Sequence, residues 1–387
     1  MKTLSQSPTD PDFIQNPYAF YDRARAVGDI FFWTEYDQVV ATSYQAATTI
    51  LKDRRFGREA PPEFAPQIPD HLAPFYAFES HSMLELEPPT HTRLRSLVLR
   101  AFTTRGIAGL APDITELSNE LIDKFPDEPF DLIENFAKII PVVIICRLLG
   151  VPEHHGDQLL AWSNDMVAMY QARRTREIED AAVAATKAFS DFMRGHIDDR
   201  RGNPGDDLIT RLIAAEEDGE KLSTDELITT CVLLLNAGHE ATVHTLGNGV
   251  KALLENGKPD ITDKSVEEVF RFDPPLQLFG RWCYEAVELF GHTFQRGDQV
   301  HCALAAANRD PDTYPNPNVF DPNRTGPTNT SFGGGLHFCV GAPLARLEVK
   351  LALTALFDRC PNLTLSEPAK YADVYHFRGL TKLMVTK

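Results

Sequence analysis

Phe332-Gly333-Gly334-Gly335-Leu336-His337-Phe338-Cys339-Val340-Gly341 is the stretch on which the reading of this chain turns. Its glycines make a flexible loop that delivers one cysteine. Ala342-Pro343-Leu344-Ala345-Arg346-Leu347-Glu348 then opens a helix, with proline in the first turn, where its missing N–H is no loss. A thiol at a helix N-terminus meets unpaired amide N–H groups and the positive end of the helix dipole. Both favour the thiolate, which is the form that binds metal. Glycine also lets backbone N–H groups approach the sulfur closely. A lone cysteine beside a turn is more often buried and inert; the pattern surrounding this one argues for chemistry.

The remaining composition narrows the field. The chain has 387 residues, 43% hydrophobic and 24% charged, ordinary for a globular protein with a large core. Lys plus Arg is 38 against 55 Asp plus Glu, a net charge of -17. Such a balance argues against nucleic acid or an anionic membrane as the main partner. The N-terminal residues carry no apolar signal segment, and the longest apolar stretch, 139–146, is far short of the ~20 residues of a membrane helix. The six cysteines form no C-x-x-C pair. They read as reduced thiols, and a cytoplasmic location is expected.

Apolar residues at three-to-four spacing predict helices over Ile114–Phe125, Pro152–Arg173 and Thr175–Arg200. Short β-like runs lie at Ile30–Trp33, Val39–Ala41, Tyr284–Leu289, Gln299–Cys302 and Lys382–Thr386. Ser223 followed three residues later by Glu226 forms a capping box, and the chain then runs without proline to Asn256, with Gly257 as its stop. That is a helix of about 50 Å, long enough to cross a whole domain. Its centre reads Leu233-Leu234-Leu235-Asn236-Ala237-Gly238-His239-Glu240-Ala241-Thr242. Gly, His, Glu and Thr in mid-helix carry a cost; a surface stretch with a packing glycine is the plain alternative to a functional site.

Phe-x-x-Gly-x-His-x-Cys-x-Gly resembles the haem-ligand loop of cytochrome P450, a haem-thiolate monooxygenase. Four further segments resemble the same family in the right order: Glu87-Pro88-Pro89-Thr90-His91-Thr92-Arg93-Leu94-Arg95, Glu268-Val269-Phe270-Arg271 with Asp273-Pro274-Pro275, Asn308-Arg309-Asp310-Pro311, and Phe320-Asp321-Pro322-Asn323-Arg324. The resemblance implies a mainly α fold with small β-sheets, one P450 domain over 1–387, and the long helix crossing it above the haem. It implies haem b, with Cys339 as axial thiolate pushing electron density toward O–O cleavage. Phe332 would pack over the sulfur, and Gly341 belongs to the same loop. His91, Arg95, Arg281 and His337 would hold the propionates. Glu268 and Arg271 would form a structural pair tied to Arg324.

At one point the chain departs from the family. The usual central-helix pattern places an alcohol directly after the acid; here Glu240 is followed by Ala241. Thr242 lies about 100° further around the helix and cannot simply substitute. Proton delivery needs a positioned donor, so three readings stay open. Water or a substrate hydroxyl replaces the alcohol; turnover leaks peroxide; or the enzyme uses peroxide or performs a haem reaction other than monooxygenation. A haem sensor without turnover is a further class, against which the retained acid Glu240 argues. The segment from Gly257 to Lys264 also looks about two helical turns short, so one peripheral helix should be reduced.

By position the resemblance places Leu233, Asn236, Ala237 and Ala241 on the distal side of the haem, with Leu276, Gln277 and Phe279 from the strand after Pro275. Phe75, Phe78, Met83 and Leu84 would come from the loop before the family's C helix. The amides of Asn236 and Gln277 suggest a small organic substrate carrying a hydroxyl, carbonyl or carboxylate, unless backbone or water satisfies them. The expected reaction is hydroxylation or dealkylation, with electrons from a ferredoxin or flavoprotein. Arg93, Arg100, Arg105, Arg346 and Lys350 are the candidate docking cations.

Overall fold

The computed structural model describes every residue except 172–173 and 216–218. The architecture is a helical body with a mixed six-stranded sheet at one side. Sheet order is Lys2–Leu4, Ile30–Trp33, Gln38–Ala41, Gln299–Ala303, Leu278–Cys283, Phe56–Gly57. The first strand pairs parallel with the second, and Gln38–Ala41 pairs parallel with Gln299–Ala303; the other neighbours are antiparallel.

The long helix forms as the capping box dictates. It spans Thr224–Glu255; the Ser223 hydroxyl accepts from the Glu226 N–H, and the Glu226 carboxylate accepts from the Ser223 N–H. It packs against the helices Ile139–Leu149, Gly156–Val167, Arg176–Gly202 and Ala342–Arg359. Gly238 is indeed a packing glycine: a Cβ there would come within 3.1 Å of Ile145 Cδ1. The helix ends at Asn256 with Gly257 at φ 84°, and the next begins at Asp263. No helix intervenes, as the short connection suggested.

Several expected boundaries move. The predicted helix from Pro152 is Gly156–Val167, flanked by 3-10 turns at Glu153–His155 and Ala168–Tyr170; its expected end at Arg173 lies outside the described residues. The expected strand Tyr284–Leu289 is corrected. The sheet strand ends at Cys283, whose N–H bonds Asp298 O, and Val287–Leu289 belongs to a separate hairpin with His292–Phe294. Lys382–Thr386 divides into Leu380–Lys382 and Met384–Thr386. Among the described residues no helix is long and apolar enough to cross a membrane.

A buried ionic knot closes the fold. Asp273 Oδ1 accepts from Tyr18 (2.7 Å) and from Arg378 Nε (2.9 Å), while Oδ2 accepts from Tyr371. Arg378 also donates to the carbonyls of Ile14 (2.6 Å) and Gln15 (2.9 Å). Burial alone would raise the Asp273 carboxyl; Arg378 and Arg309 reverse this and hold it below the usual range.

Candidate active site

The cysteine loop is held open at one point and pinned at several. Gly333 and Gly335 take φ of 70° and 66°, where L side chains are strained. A Cβ on Gly335 would lie 2.3 Å from the Leu51 carbonyl oxygen. Cys339 N–H bonds Phe332 O at 3.0 Å, closing the loop just before the helix Ala342–Arg359. Of the six cysteines, Cys339 alone is exposed. Desolvation pushes the thiol up, and the N–H groups of Gly341 and Ala342 and the charges of Arg95 and Arg346 offset this only in part. Phe332 is buried against Phe270, centroids 4.7 Å apart. Arg346, expected as a docking cation, instead lies over the Phe332 ring at 4.4 Å and pairs with Glu267.

The expected propionate residues differ in how far protein groups already engage them. His91 is buried, and neither ring nitrogen has a partner; burial, then His337 and Arg95, lowers its pKa to about 4. Its ring lies 4.4 Å from that of His337. Arg281 is also buried, Nη2 has no partner, and burial lowers its pKa to about 10. Arg95 donates to Phe338 O at 2.7 Å. His337 Nε2 is engaged by Glu87 Oε1 at 2.8 Å, which ties the cysteine loop to the segment before the helix Thr90–Ala101. Buried donors left unpaired are costly; those of His91 and Arg281, together with an open sulfur and nearby cations, fit a planar group with an iron centre and anionic arms. Sequence reasoning missed Arg58. Its guanidinium lies 4.5 Å from the Phe279 ring, which Arg281 also covers at 4.6 Å.

The structural triad assembles as expected. Arg271 makes two bonds to Glu268 (2.6 and 2.7 Å), and Arg324 Nε approaches both carboxylate oxygens at 3.3 Å. Glu268 also accepts from the Asp321 N–H.

On the central helix, Ala237 is exposed between the buried Leu235 and His239. Glu240 Oε1 is bonded to His244 Nε2 at 3.0 Å. Burial would raise the Glu240 carboxyl, but His244, with smaller contributions from His239 and Lys138, holds it below its ordinary value. Ala241 is half-buried and its carbonyl accepts the Thr245 hydroxyl at 2.7 Å. Thr242 is buried. A cavity of about 160 Å³ is bounded by Glu240, His244, Tyr170, Gln171, His376 and Phe377, among others.

The expected pocket residues fare unevenly. Gln277 is corrected: it is fully buried, accepts from Tyr21 (2.8 Å) and donates to the Pro274 carbonyl (2.6 Å), so it is core. Phe75 is likewise buried in the main core, as is Met83. Phe78, Leu84, Leu233, Leu276 and Phe279 are half-buried. Asn236 keeps its interest: Oδ1 is buried without a partner, and Nδ2 reaches only Met166 Sδ at 4.0 Å.

The comparisons with known proteins agree with this geometry. The cytochrome P450 family profile matches residues 15–264 and 257–369. The chain belongs to the cytochrome P450 family, and its cofactor is haem. It is 34% identical over 400 residues to a biotin biosynthesis cytochrome P450 of Bacillus subtilis (strain 168), covering 99% of each chain. It is 37% identical to a vitamin D(3) 25-hydroxylase of Pseudonocardia autotrophica, over 97% of this chain and 94% of that one. A P450BioI structure in complex with hexadec-9Z-enoic acid ligated acyl carrier protein superposes with TM-score 0.91 at 33% identity, covering 97% of this chain and 99% of that one.

Proposed function

We propose that this enzyme inserts oxygen into, or thereby dealkylates, a small organic molecule, drawing electrons from a ferredoxin or flavoprotein. The observation that carries the reading is Cys339, the one exposed cysteine, set at a helix N-terminus where two N–H groups and two arginines oppose the rise that desolvation imposes on its thiol. Haem bound there supplies the oxidising chemistry. Cys339 would ligate its iron, and His91, Arg95 and Arg281 would hold its carboxylates. Glu240 stands on the central helix as the proton-handling group.

The substrate reading now rests on Asn236 alone, since Gln277 is satisfied by protein. Asn236 Oδ1 accepts, so the favoured substrate carries a hydroxyl or another donor. Docking of the electron carrier would fall on the face around the cysteine loop, where the exposed Arg105 sits on a helix packed against Ala342–Arg359. Arg93, Arg346 and Lys350 already pair with Glu226, Glu267 and Asp263.

The test is a haem spin-state titration of the ferric enzyme with paired compounds, each with and without its hydroxyl. The hydroxylated member should bind tighter to wild type, and Asn236→Leu should erase the difference. Equal binding of both members to wild type would remove the polar-pocket reading. Product formed with peroxide alone, and none with reductant and dioxygen, would favour the peroxide-using alternative.

A further inference from the structure

Position 241 lacks the alcohol that the family pattern pairs with its acid, and the turn around Glu240 shows what stands nearby instead. Four side chains there carry exchangeable protons. His239 turns away, its Nε2 3.3 Å from the Lys138 carbonyl and its Nδ1 3.9 Å from Glu240, beyond hydrogen-bond reach. Thr242 is buried. Thr245 is committed to the carbonyl of Ala241. His244 alone is bonded to Glu240, one helical turn on, with the acid N-terminal to the base as the helix dipole favours.

His244 is also fixed in place. It lies so close over Gly379 that a Cβ there would fall 1.9 Å from its Nδ1. Any side chain at 379 would displace the imidazole, and no side chain is present. Both members of the pair border the cavity of about 160 Å³, which has room for water. Tyr170, Gln171 and His376 supply polar groups on its other walls.

We propose that His244 is a positioning residue for Glu240, and that the two share the proton that this enzyme delivers during turnover. The inference rests on the monooxygenase reading above. Once the pair has taken up a proton at His244 Nε2, its transfer to Glu240 Oε1 leaves a neutral imidazole and a carboxylic acid. The acid gives that proton onward, and water in the cavity reprotonates the pair. One proton enters for each one delivered, and no net charge accumulates. Without His244 a carboxylate in this place would be unanchored, and a bare anion is no proton donor. The charged and titratable groups facing the pair are His239 on the same helix, Lys138 with its partner Glu134, and Tyr170 and His376 across the cavity.

The experiment uses the haem-loaded enzyme with His244→Gln, His244→Leu and Glu240→Gln. Glutamine can still donate a hydrogen bond but cannot carry a proton. Two readouts are taken: the fraction of reducing equivalents recovered as product rather than peroxide, across pH, and the ring resonances of His244 in the diamagnetic ferrous carbonyl form. His244→Gln should keep the thiolate spectrum and substrate affinity, lose product yield about tenfold or more, and flatten the pH profile. Glu240→Gln should move the His244 ring resonances, because the partner of Nε2 changes from a carboxylate to an amide. Product yield within twofold of wild type in both His244 variants, with an unchanged pH profile, would overturn the proposal. So would His244 ring resonances unmoved in Glu240→Gln. Absence of reductant-driven product in wild type would instead overturn the monooxygenase reading, while the resonances still decide the pair.

Discussion

The guanidinium of Arg346 lies 4.4 Å from the centre of the Phe332 ring, while its nitrogens pair with Glu267. Arg346 thus binds the start of the cysteine loop to the helix Asp263–Phe272, and adds a positive charge near the sulfur. Removing it as Arg346→Leu takes away a cation that stabilises the electron-rich reduced centre. The haem potential should move negative, as measured by spectroelectrochemistry, with the thiolate band retained.

Cys339→Ser should leave a folded protein, since the side chain is exposed and its loop bonds are made by backbone. The ferrous carbonyl spectrum should lose its thiolate character while helical circular dichroism stays within a few per cent of wild type.

Gly335→Ala combines a left-handed backbone with a Cβ set 2.3 Å from the Leu51 carbonyl oxygen. The loop must shift to admit it. Haem content per protein should fall severalfold, read from the ratio of haem to aromatic absorbance.

Removing Arg271 takes the two shortest bonds from the Glu268 carboxylate, which is 3% exposed, and leaves it Arg324 at 3.3 Å and the Asp321 N–H. Breaking a buried pair in this way costs about 3–5 kcal/mol. Arg271→Ala should therefore lower the melting temperature and haem uptake more than it changes turnover per haem.

Two buried groups give opposite pH trends. Burial, then Arg58, lowers His301 from 6.5 to about 4. The unfolded chain binds its proton first, so this contribution is full above 6.5 and is lost as pH falls toward 4. Glu348 is raised by burial from 4.5 to about 8. Its contribution is full below 4.5 and is lost as pH rises toward 8. His301→Phe should flatten the acid side of a melting-temperature profile, and Glu348→Gln the neutral-to-alkaline side.

The sequence displayed what is local. The cysteine loop, the capping box and the Glu268–Arg271 pair each lie within a few residues, and each was readable from spacing. Arg324 and the propionate set needed the family resemblance to join them across the chain. The errors arose where partners are distant. Gln277 looked like a pocket amide because nothing near it in sequence reveals Tyr21, 256 positions away. Glu87, which engages His337 from 250 positions away, is likewise invisible locally. Arg58 joins Arg281 over Phe279 only once the sheet has formed. His244 stands one turn beyond Glu240, a spacing at which two helical side chains meet, so this pair is legible in the sequence.

The Arg378 knot sets a constraint on how the molecule can be assembled. Its bonds to Ile14 and Gln15 bridge 364 and 363 positions, so early-made and late-made segments are neighbours in the finished body. Contacts of such span are slow to form because the intervening loop must first be closed. Asp273 can take the hydroxyls of Tyr18 and Tyr371 but lacks its ion-pair partner until Arg378 arrives. The knot therefore acts as a clasp, and a chain cut or interrupted shortly before it should collapse around its helices without ever fastening.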